Sequence, residues 1–143
     1  DLSGFRDGEF DSVICLNAAF SFASDQSHVL SQIHRIVRPG GNILISVLNR
    51  WSLRRLLRCK YAEFESFATR GADPSLGTVY AHTFSKDAFF ELLERSGFQR
   101  LKCFPQGVLS GVAEFEALIP VENILKRVTP GLAHTLNFVA ERG

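Results

Sequence analysis

The apolar positions change period along the chain, and each change marks an element. Val29, Leu30, Ile33, Ile36 and Val37 recur at helical spacing until Pro39-Gly40-Gly41, after which Ile43, Leu44, Ile45, Val47 and Leu48 form a nearly unbroken apolar run. That is a helix feeding a buried strand. Apolar residues at both odd and even positions leave no side for water, so both faces of the strand need cover. A parallel sheet with helices on both faces is predicted.

The flanks extend the pattern. Ser-Gly and Asp-Gly turn pairs in residues 1–11 lead into a strand at Val13, Ile14, Cys15 and Leu16, then into the small residues Ala18, Ala19, Ser21, Ala23 and Ser24. Ser24 or Asp25 offers the N-cap of the central helix. Beyond the second strand, Arg50, Arg54 and Arg58 lie four apart and Leu53, Leu56 and Leu57 fall on another side, which predicts an amphipathic helix with a basic face. From Lys60 to Thr83 the period fades and Gly71, Pro74 and Gly77 punctuate an irregular connection, so residues 50–83 read as a substrate-facing insertion. Ser85 opens a helix with the stripe Ala88, Phe89, Leu92 and Leu93, and Gly97 caps its end. Strands follow at 99–104 and 136–140, with a short helix at 120–128 between them. The residues joining these last strands fit either a crossover or a long hairpin.

Composition narrows the class. The chain is 143 residues long, 45% apolar and 22% charged, enough for one core and too apolar for disorder. Thirteen Phe against two Tyr and one Trp supply rings without polar handles, suited to a core or an apolar cavity. A net charge of +1 gives no field for nucleic acid or an anionic membrane surface, and no run is apolar enough for an integral membrane segment. Cys15, Cys59 and Cys103 are odd in number, far apart and outside any metal-ligand spacing, which fits reduced thiols in a cytoplasmic protein. Methionine is absent and the chain opens inside a loop, so a piece of a longer protein is expected.

Three stretches resemble one family. Phe5-Arg6-Asp7-Gly8-Glu9-Phe10-Asp11-Ser12-Val13 is similar to F-x-D-x-x-F-D-x-V, the lead into the fourth strand of class I S-adenosylmethionine-dependent methyltransferases. Leu30-Ser31-Gln32-Ile33-His34-Arg35-Ile36-Val37-Arg38-Pro39-Gly40-Gly41 resembles their L-x-E-x-x-R-V-L-K-P-G-G, with Gln32 where Glu is usual. His82-Thr83-Phe84-Ser85, followed by Ser96-Gly97-Phe98, resembles a later H-x-x-x-S and G-F pair, with two residues rather than three between His82 and Ser85. The resemblance implies an α/β fold, the C-terminal part of a Rossmann-like methyltransferase domain, with a parallel sheet whose last strand is antiparallel. It also implies that residues 1–143 are a single partial domain, lacking the cofactor-binding first strands and the Gly-rich loop.

Site residues follow from that placement. Asn17, Ala18, Ala19 and Phe20 sit at the carboxyl end of a parallel strand, where α/β sheets bind ligands. The resemblance puts them beside the sulfonium of S-adenosylmethionine, with Phe20 as a wall, and puts Asp1 and Leu2 near the adenine. His82 is the candidate catalytic base, against a histidine bonded to loop backbone. Asn49, Arg50, Trp51 and Tyr80 are candidate substrate contacts, with Arg50 offering a carboxylate or phosphate anchor against a solvated arginine. Trp51, Tyr61, Phe64, Phe67 and Tyr80 would line a pocket for a small, apolar or aromatic acceptor, and Arg70 would add a polar anchor. No metal is expected. Without its earlier neighbours, the strand near residues 12–16 would expose an edge through which the chain self-associates. The rivals to methyl transfer are a non-catalytic interaction module and a nicotinamide-dependent α/β enzyme.

Overall fold

The computed structural model describes residues 2–58, 64–68, 78–108 and 119–143. Within them, β1 (Phe10–Cys15), β2 (Val37–Asn49), β3 (Phe64–Ala68), β4 (Thr78–Phe84), β5 (Phe98–Gln106) and β6 (Thr135–Arg142) form one mixed sheet. Four helices accompany them: α1 (Gln26–Ile36), α2 (Leu53–Leu57), α3 (Lys86–Arg95) and α4 (Ile119–Val128).

The sheet is built around β2. Its Asn42–Ile45 stretch pairs parallel with Ser12–Cys15 of β1, while its other edge runs antiparallel to β6 from Asn42↔Glu141 to Leu48↔Thr135. β6 in turn pairs antiparallel with β5, so the reversed last strand lies between β2 and β5, as the family resemblance implies. α1 ends at Ile36, earlier than the apolar spacing suggests, and Pro39-Gly40-Gly41 lies within β2. The register jumps from Phe10↔Val37 to Ser12↔Asn42, so this stretch forms a bulge rather than a free turn. Gly41 is needed there, since a Cβ would stand 2.8 Å from the Asp11 carbonyl oxygen.

The helices start where the sequence placed their caps. Asp25 accepts from the His28 N–H at 2.8 Å and Ser85 from the Ala88 N–H at 3.3 Å. Both α1 and α3 press their apolar stripes on the sheet face that carries Ile43, Ile45, Val47 and Phe138. A Phe cluster fills the layer between, with Phe89 and Phe90 at 4.6 and 4.9 Å from the Phe138 ring.

Three sequence expectations need correction. The insertion at 50–83 is not wholly irregular: β3 and β4 form an antiparallel hairpin, and β4 joins the main sheet by pairing parallel with the end of β2. The basic amphipathic helix is a single short α2 whose Arg55 is buried and whose Leu57 is exposed. Arg55 is accommodated because its Nη1 donates to the Asn49 carbonyl at 2.8 Å and to the Ser52 hydroxyl at 3.2 Å. Leu2 belongs at the opposite end of the sheet from Asn17: its carbonyl accepts from Arg35 near the end of α1, and α1 runs back along β1 to the amino end of the strands. Asp1, Cys59, Tyr61 and Arg70 lie outside the described residues, as do the side chains of Phe64 and Phe67. No helix among the described residues is long and apolar enough to cross a membrane.

Candidate functional site

The carboxyl ends of β1, β2 and β4 come together, and the chain turns sharply after β1 there. Asn17 and Ala18 both have φ of 55°, in the left-handed region that non-glycine residues enter at a cost, about 1–3 kcal/mol for a fully strained position. The surrounding structure holds the turn in place. The Ala18 N–H donates to the buried Ser46 hydroxyl at 3.3 Å, and the Leu48 N–H donates to Ser21 at 2.9 Å. Ala18 packs with Leu48 and Ala81 in a small buried cluster. Asn17 and Ala19 stay exposed on the outside of the turn. Phe20 does not form the expected wall: it is 2% exposed, and its ring sits edge-on to Phe89 at 5.4 Å in the core. Cys15, at the end of β1, is half-buried, and burial raises its thiol pKa against an opposing hydrogen bond with the Phe20 backbone.

The candidate substrate residues divide between two cavities that flank α3. Arg50 and His82 share an open cleft of about 450 Å³ with Glu91 and Arg95 on the β4 side of the helix. The Arg50 guanidinium donates to the Thr83 carbonyl at 3.1 Å, and the His82 ring stacks on Phe84 at 6.4 Å between centroids. His82 therefore stands on a strand, not in a loop. Tyr80, two residues earlier on the same strand, is 64% exposed.

Asn49 and Trp51 line the second cavity, a slot of about 170 Å³ on the β5 side of α3. Asn49 is committed to structure. Its side-chain amide donates to the Gly131 and Ala133 carbonyls at 2.8 and 2.7 Å, and its oxygen accepts from the Trp51 N–H at 3.1 Å. These bonds tie the 3-10 turn Pro130–Leu132 to the end of β2 and shape the slot's floor. The rest of the wall comes from residues the sequence reading passed over: Lys86, Cys103, Pro105, Pro130 and Leu136. One of them carried a signal. Lys86 follows the N-cap of α3, where a cation opposes the helix dipole, so helix stability does not account for it.

The fold is shared with known proteins. Residues 1–45 match the family model described as a methyltransferase domain. No curated protein matches the sequence. Among solved structures, a SAM-dependent methyltransferase from Methanosarcina mazei is similar with a TM-score of 0.65 at 18% identity, over 99% of this chain and 64% of that one. An S-adenosylmethionine-dependent methyltransferase from Mesorhizobium loti gives 0.59 at 18% identity, over 99% of this chain and 67% of that one. The 1,6-didemethyltoxoflavin-N1-methyltransferase of Burkholderia thailandensis, with 1,6-didemethyltoxoflavin and S-adenosylhomocysteine bound, gives 0.55 at 17% identity, over 99% of this chain and 48% of that one. The chain has the class I S-adenosylmethionine-dependent methyltransferase fold. It spans just under two-thirds of the first of these proteins, at 64%.

Proposed function

We propose that the protein to which these residues belong transfers a methyl group from S-adenosylmethionine to a small-molecule acceptor. The observation that carries this is the turn Asn17-Ala18-Ala19: left-handed at Asn17 and Ala18, locked from below where the buried Ala18 bonds Ser46, with Asn17 and Ala19 exposed at the carboxyl end of a parallel strand. Strain held at such a place is a mark of a ligand site, and small exposed residues fit a cofactor lying across the turn. S-adenosylmethionine would supply an electrophilic methyl group on a sulfonium. Asn17, Ala18 and Ala19 are the residues to hold that end of the cofactor, while the two cavities beside α3 orient an acceptor and exclude water. His82 is the proposed base and Arg50 the proposed anchor, in support of which both line the same cleft.

Calorimetric titration of the protein with S-adenosylhomocysteine and with NAD tests the cofactor. The homocysteine derivative is expected to bind and NAD not. Ala19→Leu, at an exposed position, is expected to weaken binding by about tenfold or more with an unchanged melting temperature. Binding of NAD instead, or full affinity in the variant, would contradict the reading. Transfer of labelled methyl to a panel of phenols, amines and carboxylates, with RNA and DNA alongside, tests the acceptor class. A loss of kcat/KM in His82→Ala and Arg50→Ala is expected; wild-type values in both would remove them from the mechanism.

A further inference from the structure

The slot beside the start of α3 has a shape and a charge that together specify a ligand. Its walls are mostly apolar or thiol-bearing: Trp51, Cys103, Pro105, Pro130 and Leu136. The exception in charge is Lys86, which is exposed and has no ion-pair partner among the described residues. Lys86 and Cys103 line the slot together; burial pushes the Cys103 thiol up to about 11, against a smaller opposing pull from the Lys86 cation. A largely apolar slot with a cation at its side favours an amphiphilic anion, because the apolar body gains by burial and the negative charge meets the ammonium.

Size limits the body. A volume of about 170 Å³ is close to that of an engineered apolar cavity, about 150 Å³, that accepts benzene, so there is room for one six-membered ring and no more. We propose that this slot binds a monocyclic aromatic carboxylate, its ring between Trp51 and the prolines Pro105 and Pro130 and its carboxylate on Lys86. The ligand class rests on the slot itself and not on the methyltransferase reading.

The test is calorimetric titration of the protein with phenylacetate and with phenethyl alcohol, its neutral counterpart, without cofactor. Phenylacetate is expected to bind about tenfold more tightly, the scale of a charge-assisted hydrogen bond, and Lys86→Gln is expected to remove that difference while leaving the alcohol's affinity unchanged. Saturating phenylacetate is also expected to slow alkylation of Cys103 by iodoacetamide, read by peptide mass spectrometry. Equal affinity for acid and alcohol, no effect of Lys86→Gln, an unchanged Cys103 rate or no saturable binding would each overturn the proposal. S-adenosylhomocysteine titrated into the same samples separates the two readings. Acid binding without cofactor binding keeps the slot and rejects methyl transfer, whereas the reverse rejects the slot alone.

Discussion

The two faces of the sheet are built from the same strands and have opposite fates. On the face under α1 and α3, Ile43, Ile45, Val47, Phe138 and Ala140 are all buried, and the rings of Phe20, Phe84, Phe89 and Phe90 fill the layer above them. On the other face, the register Ile14↔Leu44↔Val139 sets three apolar side chains in one row across β1, β2 and β6. Ile14 is 65% exposed there, Leu44 and Val139 only half-buried, and Leu16 just beyond β1 is exposed too. Cover on this side is complete only near the carboxyl ends, where the Ala18 turn buries Ser46 and Leu48. β1 also pairs with β2 alone among the described residues. An apolar pattern in sequence thus reports what a strand is suited to bury against; whether a given stretch of chain supplies the cover is a separate fact.

The largest effect should come from breaking the closed face. Phe138→Ala removes a fully buried ring that contacts Phe89 and Phe90 and should cost about 3–5 kcal/mol in denaturant unfolding. Ile14→Ala, in the open row, should change stability by no more than about 0.5 kcal/mol. A loss above about 2 kcal/mol for Ile14→Ala would mean that this face is covered in solution, and the contrast between the faces would fail.

Gly97 sharpens the comparison at the edge of the closed face, where α3 turns into β5. It has φ of +86°, and a Cβ there would stand 2.7 Å from His34 Nε2. Gly97→Ala therefore combines backbone strain with a clash and should destabilise by about 1–3 kcal/mol. Gly4, with nothing within 4 Å of its virtual Cβ, is the matched control and should tolerate alanine. Equal melting temperatures for the two variants would remove Gly97 from the set of positions that define the turn.

The order of elements was legible because local signals agreed: the period change at Pro39-Gly40-Gly41, the Asp25 and Ser85 caps, and Gly97 beyond α3. The antiparallel β6 came from family resemblance, since nothing local in residues 107–134 fixes a direction. The β3–β4 hairpin was missed although Thr78, Val79, Tyr80, Thr83 and Phe84 favour a strand, because the breakers Gly71, Pro74 and Gly77 directed the reading to an irregular connection. Arg55 defeated the helical wheel because carbonyl and hydroxyl partners, not apolar area, pay for its burial. The Asn17-Ala18-Ala19 turn was visible as small residues after a strand, though not its left-handed backbone. The slot was invisible for a simpler reason: Trp51, Lys86, Cys103, Pro130 and Leu136 lie on five separate stretches of chain and meet only through the tertiary fold.

The smallest predicted effect is one of pH, and it also belongs to the closed face. His34 lies on α1 with its ring edge-on to Phe98 at 5.2 Å. Burial lowers its pKa below the ordinary 6.5, the Arg142 cation adds to that, and a hydrogen bond with the Gly97 backbone opposes it; Arg95, across the same shallow cleft, adds no negative charge. The unfolded chain therefore takes up this proton at a higher pH than the folded one does. Stability from this residue is present above pH 6.5 and is lost as the pH falls through the lowered folded value. Melting temperatures should decline as the pH falls below the ordinary 6.5 of the unfolded histidine, and His34→Asn should flatten that decline. Ile14→Ala, on the open face, should leave the slope as in the wild type. If His34→Asn and the wild type instead fall in parallel, the proton is taken up elsewhere and His34 is only a packing residue.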